Sequence, residues 1–228
     1  MQLTPALRLS VIIPTLDAAD TLAATLAALT SADEIVVVDG GSRDASIALA
    51  QAAGAAVIGT APGRGGQLAA GAAAASGDWF LFLHADTVPE PGWRAAVDRH
   101  AATPGAPARA ACFRFGLDDG SPQARRLERW VALRVAVLAL PYGDQGLLIH
   151  RDLYRRLGGF RPLPLMEDVD LVRRIGRKRL TVLPVRAETS ARRWRQDGWL
   201  ARSARNLLCL SLFLAGVPAA RIARLYGR

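Results

Sequence analysis

The first part of the chain alternates short apolar runs with alanine- and leucine-rich segments, and each run stops at a polar or acidic residue. Leu9-Ser10-Val11-Ile12-Ile13-Pro14 is followed by Thr15-Leu16-Asp17. Glu34-Ile35-Val36-Val37-Val38 stops at Asp39, and Trp79-Phe80-Leu81-Phe82-Leu83 stops at His84 and Asp86. Runs of this length, bulky and unbroken by charge, read as strands buried on both faces, as in a parallel sheet. Ala56-Val57-Ile58 reads as a shorter strand of the same kind. Helices are predicted from Asp17 or Asp20 to about Leu29, from the Gly40-Gly41-Ser42-Arg43-Asp44 turn to about Ala53, and after Pro62-Gly63-Arg64-Gly65-Gly66-Gln67. Strand–helix–strand units at this spacing predict an α/β sheet.

The second part is less regular. Ala111 to Phe115, Leu147 to Ile149 and Leu180 to Val185 read as strands. Helices are predicted from Pro89 to His100, from Pro122 to Leu140, from Arg151 to Leu157 and from Met166 to about Arg174. In the longest, Leu127, Trp130, Val131, Val135 and Leu138 form an apolar face expected to pack in the core. From Glu188 to Arg205 the chain is basic, with Arg192, Arg193, Arg195, Arg202 and Arg205 beside Trp194 and Trp199. Leu207 to Ala215 is then apolar almost all round, and Arg221, Arg224 and Arg228 follow. The expected division is one α/β domain over residues 1–190 and a basic, apolar helical extension over 191–228.

Composition narrows the class. The chain has 228 residues and is 51% hydrophobic, enough for one substantial core and too apolar for a disordered protein. Cys112 and Cys209 lie far apart and form no metal-binding pair, which points to buried thiols in a reducing compartment. Met1 to Leu9 has no apolar core of signal-peptide length, and Leu207 to Val217 is about half a membrane span. A cytoplasmic protein is expected, with peripheral contact to the inner face of a membrane through the last helix, which could equally pack on the domain or on a second subunit. The net charge of +9 is carried almost entirely by arginine and suits an anionic partner such as a nucleotide or lipid headgroup. A biased genome composition accounts for part of that charge. Nucleic acid is not expected, because no aromatic residues interleave with the basic ones and no binding motif occurs.

In an open α/β sheet, ligands bind beyond the carboxyl ends of the strands. Thr15, Asp39, His84 and Asp86 fall there. Side chains alternate along an extended segment, so His84 and Asp86 can face one way with Ala85 between them turned back. That pair suits a divalent cation carrying phosphates, although Asp86-Thr87 also reads as the start of a plain turn. The loop from Pro62 to Gln67 matches neither a Walker loop nor GxGxxG, yet its backbone N–H groups and Arg64 can meet an anion. Glu167, Asp168 and Asp170 open a helix, where acids complement the dipole; one left free could accept a proton.

Taken together these segments resemble family 2 glycosyltransferases, in particular the radical-SAM/selenodomain-associated transferase 2 type. The residues that carry the resemblance are Ser10 to Leu16, Glu34 to Ser42, Leu83 to Thr87, Tyr142-Gly143-Asp144-Gln145-Gly146, and Gly159-Phe160 followed by Glu167-Asp168. The resemblance implies a GT-A, Rossmann-like fold: a mostly parallel central sheet flanked by helices, with a C-terminal helical appendage. It implies an inverting transfer from a nucleoside-diphosphate sugar, with a UDP-sugar as the expected donor, to an acceptor that could be lipid-linked. It places Pro14, Thr15, Asp17, Asp39, Gly41, Asp44 and Arg64 at the nucleotide. It places Asp86 and His84 at the metal, manganese or magnesium, with His84 standing where the family has the first acid of its DxD motif. Asp168, with Glu167 beside it, takes the catalytic position, and Asp144 and Gln145 the acceptor or donor sugar. Arg193, Trp194 and Arg195 loosely match an Arg-Trp element that closes over the diphosphate. The competing readings are a sugar nucleotidyltransferase, a non-catalytic membrane-associated or partner-binding protein that keeps the fold, and, on charge alone, a nucleic-acid binder; a homodimer is a further partner expectation. Pro14-Thr15-Leu16-Asp17-Ala18 lacks the glycine-rich basic loop of the first. Three acids at strand and helix ends argue against the second.

Overall fold

The computed structural model describes residues 7–226. Arg228 and residues 1–6, both used in the expectations above, lie outside the described residues. The early apolar runs become β1 (Leu9–Thr15), β2 (Glu34–Asp39), β3 (Ala56–Gly59) and β4 (Trp79–Phe82). Helices α1 (Ala19–Ala27), α2 (Ser46–Ala52) and α3 (Arg64–Ala74) connect them. The chain continues through β5 (Thr87–Pro89), α4 (Trp93–Ala101), β6 (Ala110–Leu117), α5 (Pro122–Leu138), β7 (Leu147–His150) and α6 (Arg151–Arg156). It ends with α7 (Glu167–Ile175), β8 (Leu180–Thr189), α8 (Arg192–Asp197), α9 (Trp199–Leu214) and α10 (Ala219–Tyr226).

Among the described residues the strands form one sheet in the order β3-β2-β1-β4-β7-β6-β8-β5. The pairs β2–β3, β1–β2, β1–β4 and β6–β8 are parallel; β4–β7, β6–β7 and β5–β8 are antiparallel. The parallel half is β1 to β4, and the antiparallel strand β7 joins it to the second half.

The alternation of side chains along the strands divides the core into two layers. Val11, Ile13, Val37 and Leu81 point to the side covered by α1 and α4, where Leu22, Leu26, Trp93 and Val97 are buried. Ile12, Val36, Val38, Phe80 and Phe82 point to the side covered by α3, α6 and α7, against Leu68, Leu153 and Leu171. Each such buried side chain contributes about 1.5–3 kcal/mol. The C-terminal helices are docked by a further cluster, in which Cys209, Leu210, Ile222 and Ala223 meet Met166, Val169 and Val172. Cys112 and Cys209 are free and buried, and burial pushes the Cys112 thiol up to about 12.

Four local expectations change. Pro14 lies inside β1 rather than ending it. The β1–β4 register stops at Ile12, so the missing N–H of Pro14 falls where no β4 carbonyl waits. Thr87-Val88-Pro89 is a strand, not the lead into a helix, because it pairs with Thr189, Glu188 and Ala187 at the sheet edge. The same pairing carries β8 four residues past Val185 to Thr189. On α5, Val131 and Val135 are buried beside Phe115 and Trp194 as expected, but Trp130 is 68% exposed and Leu138 50%. Those two lie on the outer side of the helix, not in the core.

Candidate active site

A cleft of about 660 Å³ opens beyond the carboxyl ends of β1 and β4. Its first end is made by the loops after β1 and β2. Thr15 and Asp39 sit side by side in register. Asp39 is buried, and its carboxylate accepts the backbone N–H groups of Gly41 and Ser42 at 2.8 Å each, the Ser42 hydroxyl, and the Thr15 hydroxyl at 3.2 Å. Burial alone would raise its pKa; these hydrogen bonds, those of Ser42 foremost, hold it below the usual carboxylate value instead. Asp17 Oδ1 accepts the Arg43 N–H at 2.8 Å, while Asp44 accepts those of Ala19 at 2.8 Å and Ser46 at 2.9 Å. Asp17 and Asp44 thereby clasp the two loops together. Pro14, Thr15 and Asp17 line the cleft; Asp39 is buried beside Thr15, and Gly41 and Asp44 are exposed on the loop after β2. Gln67 is buried beneath this end, its Nε2 donating to the carbonyls of Thr15 and Val38 at 2.8 Å each.

The middle of the cleft is acidic. His84 and Asp86 both line it, as the alternation predicted. Asp86 is tied to the second half of the sheet: its carbonyl accepts the Ser190 N–H at 3.2 Å, and its Oδ1 lies 3.5 Å from the Thr189 hydroxyl. The His84 ring packs on Gly143, where any Cβ would overlap Nε2. Asp168 enters from the first turn of α7. Met166, at that helix's N-cap with φ 65°, holds a left-handed backbone that a side chain rarely adopts, and it turns Glu167 and Asp168 inward. Asp168 Oδ2 accepts the Gly143 N–H and Oδ1 the Val169 N–H, both at 2.7 Å.

Arg64 is the first residue of α3, and its Nη1 stands 3.5 Å from the buried Glu167 carboxylate. Burial would lower the Arg64 pKa, but Glu167, then Asp168 and Asp86, more than reverse that and keep it charged. Asp144 shows the opposite balance. Its carboxyl is pushed up to about 7, by burial first and then by Asp168 and Asp86, against an opposing pull from Arg134. One of its oxygens is buried without a hydrogen-bond partner. Arg134 itself stacks on the Tyr142 ring at 3.6 Å.

The far wall comes from α8, α9 and α10, which contribute Arg192, Arg193, Trp194, Arg202, Asn206 and Tyr226. Arg192 pairs with Asp20 at 3.0 Å. Arg193 is exposed and has no ion-pair partner among the described residues.

Of the residues expected at the site, the structure brings Pro14, Thr15, Asp17, Arg64, His84, Asp86, Asp144, Glu167, Asp168, Arg193 and Trp194 to one cleft. Gln145 is not among them: it is buried and donates to the Phe113 carbonyl at 3.0 Å. Arg195 is also outside, bound to Asp119 at 3.0 Å and Asp118 at 3.8 Å on the loop before α5. Sequence reasoning missed Gln67, Tyr142, Asn206 and Tyr226. The polar Gln67 inside an alanine-rich helix was the one signal available.

Solved structures share this architecture. Glucosyl-3-phosphoglycerate synthase from Mycobacterium tuberculosis, in complex with Mn2+, UDP and glucosyl-3-phosphoglycerate, superimposes with TM-score 0.58 at 23% identity over 81% of this chain and 71% of that one. The same enzyme with Mn2+, UDP-glucose and glycerol 3-phosphate gives TM-score 0.59 at 22% identity, over 81% and 71%. A structure described as a mycobacterial protein gives 0.58 at 23%, over 81% and 66%. The likeness establishes the fold as that of GT-A glycosyltransferases. No curated protein sequence matches the chain. The family model for glycosyl transferase family 2 matches residues 10–141, more than half the chain, and the chain belongs to that family. It is a glycosyltransferase.

Proposed function

We propose that the protein transfers a sugar from a nucleoside diphosphate, UDP being the first candidate, to a hydroxyl acceptor with inversion at the anomeric carbon. The observation that carries this reading is the convergence of Asp86, Asp168 and Arg64 in one cleft beyond the ends of β1 and β4. The relatives of the same fold, solved with UDP or UDP-glucose, support the choice of donor. The nucleotide lies along Pro14, Thr15 and Asp17, and Arg64, Arg193 and Trp194 take the diphosphate.

Mn2+ or Mg2+ accompanies UDP in the neighbours. No group of three or more metal-ligating side chains occurs among the described residues. A hard cation that shares phosphate oxygens and water needs only one or two protein carboxylates, and Asp86 with His84 meets that need. Burial is the main cause of the raised Asp144 carboxyl, and a cation at Asp86 would offset the smaller part that Asp168 and Asp86 contribute. Bound there, the metal would neutralise charge developing on the departing diphosphate.

Asp168 takes the proton of the acceptor hydroxyl. Each of its oxygens accepts one backbone N–H and keeps a lone pair for that proton. The freed oxygen forms a bond to the anomeric carbon while the bond from that carbon to the diphosphate breaks, and its electrons leave with the diphosphate. Glu167 keeps Arg64 charged and aimed rather than handling protons.

The test is calorimetric titration with UDP, GDP and dTDP, each with manganese, magnesium or chelator. Metal-dependent binding of one nucleotide is expected; binding of none would overturn the reading. Asp168→Asn should lower kcat by a factor of about 10² to 10⁴ with nucleotide affinity kept. Equal loss of affinity would make Asp168 a helix cap.

One further observation favours contact with an anionic membrane. No described helix is long and apolar enough to cross one. Leu200, Leu207 and Leu214 recur every seven residues on α9, so they form one stripe, and all are exposed, Leu200 at 88%. Exposed Arg221 and Arg224 follow on α10. Vesicles of anionic lipid should retain the full chain and lose the Leu200→Gln/Leu207→Gln variant. Equal retention excludes the contact, and a dimer broken by the same changes would assign the stripe to a second copy.

A further inference from the structure

The wall made by α8, α9 and α10 differs in chemistry from the rest of the cleft. It contributes three arginines, an indole, an amide and a phenol, and no carboxylate. The opposite side contributes Asp17, Asp86, Asp144, Glu167 and Asp168. A relay of hydrogen bonds fixes the α9–α10 part of the wall. Asp197 Oδ2 holds Arg202 Nη1 at 2.7 Å, Arg202 Nη2 donates to the Tyr226 hydroxyl at 3.1 Å, and that hydroxyl reaches Asn206 Oδ1 at 3.2 Å. Arg202 also stacks over Trp194 at 5.1 Å and is only 7% exposed, so the relay is anchored in packed structure.

The relay has a direction. Arginine only donates, so the tyrosine oxygen accepts from Arg202 and its single proton goes to the Asn206 carbonyl oxygen. Asn206 is thereby oriented, and its remaining polar group, the side-chain NH2, has no other partner among the described residues. Arg192, whose partner Asp20 is 82% exposed, adds a cation to the same wall. These donors lie on elements beyond residues 10–141, the part of the chain common to the family model.

We propose that Asn206, oriented by Tyr226 and Arg202, is the centre of an acceptor subsite, and that the acceptor is a hydroxylated molecule bearing a phosphate or carboxylate group. This deepens the glycosyltransferase reading and rests on it. The geometry suits a bipolar substrate. Its anionic group meets the wall that carries no carboxylate, and its hydroxyl then faces the carboxylates, where Asp168 can take the proton. A neutral acceptor would leave the charge that Arg192 brings to this wall, countered only by the exposed Asp20, without an anion in the cleft to meet it. Tyr226 and Arg202 are positioning residues, and Asn206 is the group that touches the ligand.

The test uses the full chain saturated with UDP and Mn2+, with inorganic phosphate as the calorimetric probe. Wild type should bind phosphate. Asn206→Asp, which sets a negative charge in place of the donor, should weaken that binding at least tenfold. Tyr226→Phe, which frees the amide without adding charge, should weaken it several-fold. UDP affinity should stay within twofold in both. Displacement of phosphate by glycerol 3-phosphate would assign the subsite to a small phosphate ester, and displacement by phosphatidate vesicles to a lipid-linked one. Phosphate binding that is absent in wild type, or unchanged by Asn206→Asp, overturns the proposal. So does a fall in UDP affinity in step with phosphate, which would give the wall to the donor. If UDP itself does not bind, the nucleotide reading fails separately, and the same phosphate titration without nucleotide still decides the subsite.

Discussion

Replacing Asp144 by asparagine tests the charge balance of the cleft through stability alone. Asp144 lies in the short turn Gly143–Gln145, with one carboxylate oxygen buried and unpartnered. Burial, Asp168 and Asp86 raise its carboxyl from 3.8 to about 7. A carboxyl that binds its proton more tightly folded than unfolded favours the folded state below the unfolded value. That contribution is lost as pH rises through the folded value. Each unit of pH between the two removes about 1.4 kcal/mol, so the loss from about pH 5 to about pH 8 reaches up to about 2.7 kcal/mol. Asparagine has the shape of the neutral acid and does not titrate. Urea denaturation of chelator-treated wild type and Asp144→Asn at a series of pH values isolates the effect, because all other titrating groups are common to both. The two curves should lie close together near about pH 5 and diverge in favour of the variant by roughly 2 kcal/mol near about pH 8. Curves that stay parallel across that range would refute the argument, since they would mean Asp144 ionises as easily folded as unfolded.

Two other changes probe the frame around the site. A Cβ at Gly65 would overlap the backbone carbonyl oxygen of Arg161 and come within 3.1 Å of the Leu163 N–H, and a backbone cannot swing aside as a side chain can. Gly65→Ala should therefore lower unfolding stability by about 1–3 kcal/mol in urea denaturation; no loss would mean the 161–163 loop yields freely. Arg195 is bound to Asp118 and Asp119 away from the cleft. Arg195→Ala should leave UDP affinity within about twofold and change stability by at most about 1 kcal/mol, whereas Arg193→Ala should weaken UDP; the reverse order in calorimetry would restore Arg195 to the diphosphate.

The strands of the parallel half were legible because they are buried on both faces, so burial alone dictates their composition. For the same reason Thr15, Asp39 and Asp86 stood out: each is the first polar residue after such a run. β5 was not legible. Three residues, Thr87-Val88-Pro89, carry no periodic signal, and only the distant partner Thr189 makes them a strand. Trp130 misled because a helix with one apolar stripe inward and another outward has no single polar face to orient it. Asp39, at the end of β2, and Asp44, in the turn that follows, stood out as candidate nucleotide contacts because of where they fall after a buried strand. Their backbone partners in the loops follow from folding and not from spacing. Gln145 and Arg195 differ in the same way, each captured by a neighbour that sequence order does not reveal. Asn206 and Tyr226 reach the cleft only because α9 and α10 fold back onto α7, a consequence of packing between Cys209, Ile222 and Val172.

The contact between His84 and Gly143 reaches into the history of the chain. The imidazole fills the space a Cβ at position 143 would need. Two positions far apart in the chain are thus coupled: a side chain at 143 would force the His84 ring out of its place in the cleft, while a smaller acid at 84 would leave room for one. A set of aligned homologues should show the two positions changing together, with glycine at 143 arriving no later than the ring it makes room for.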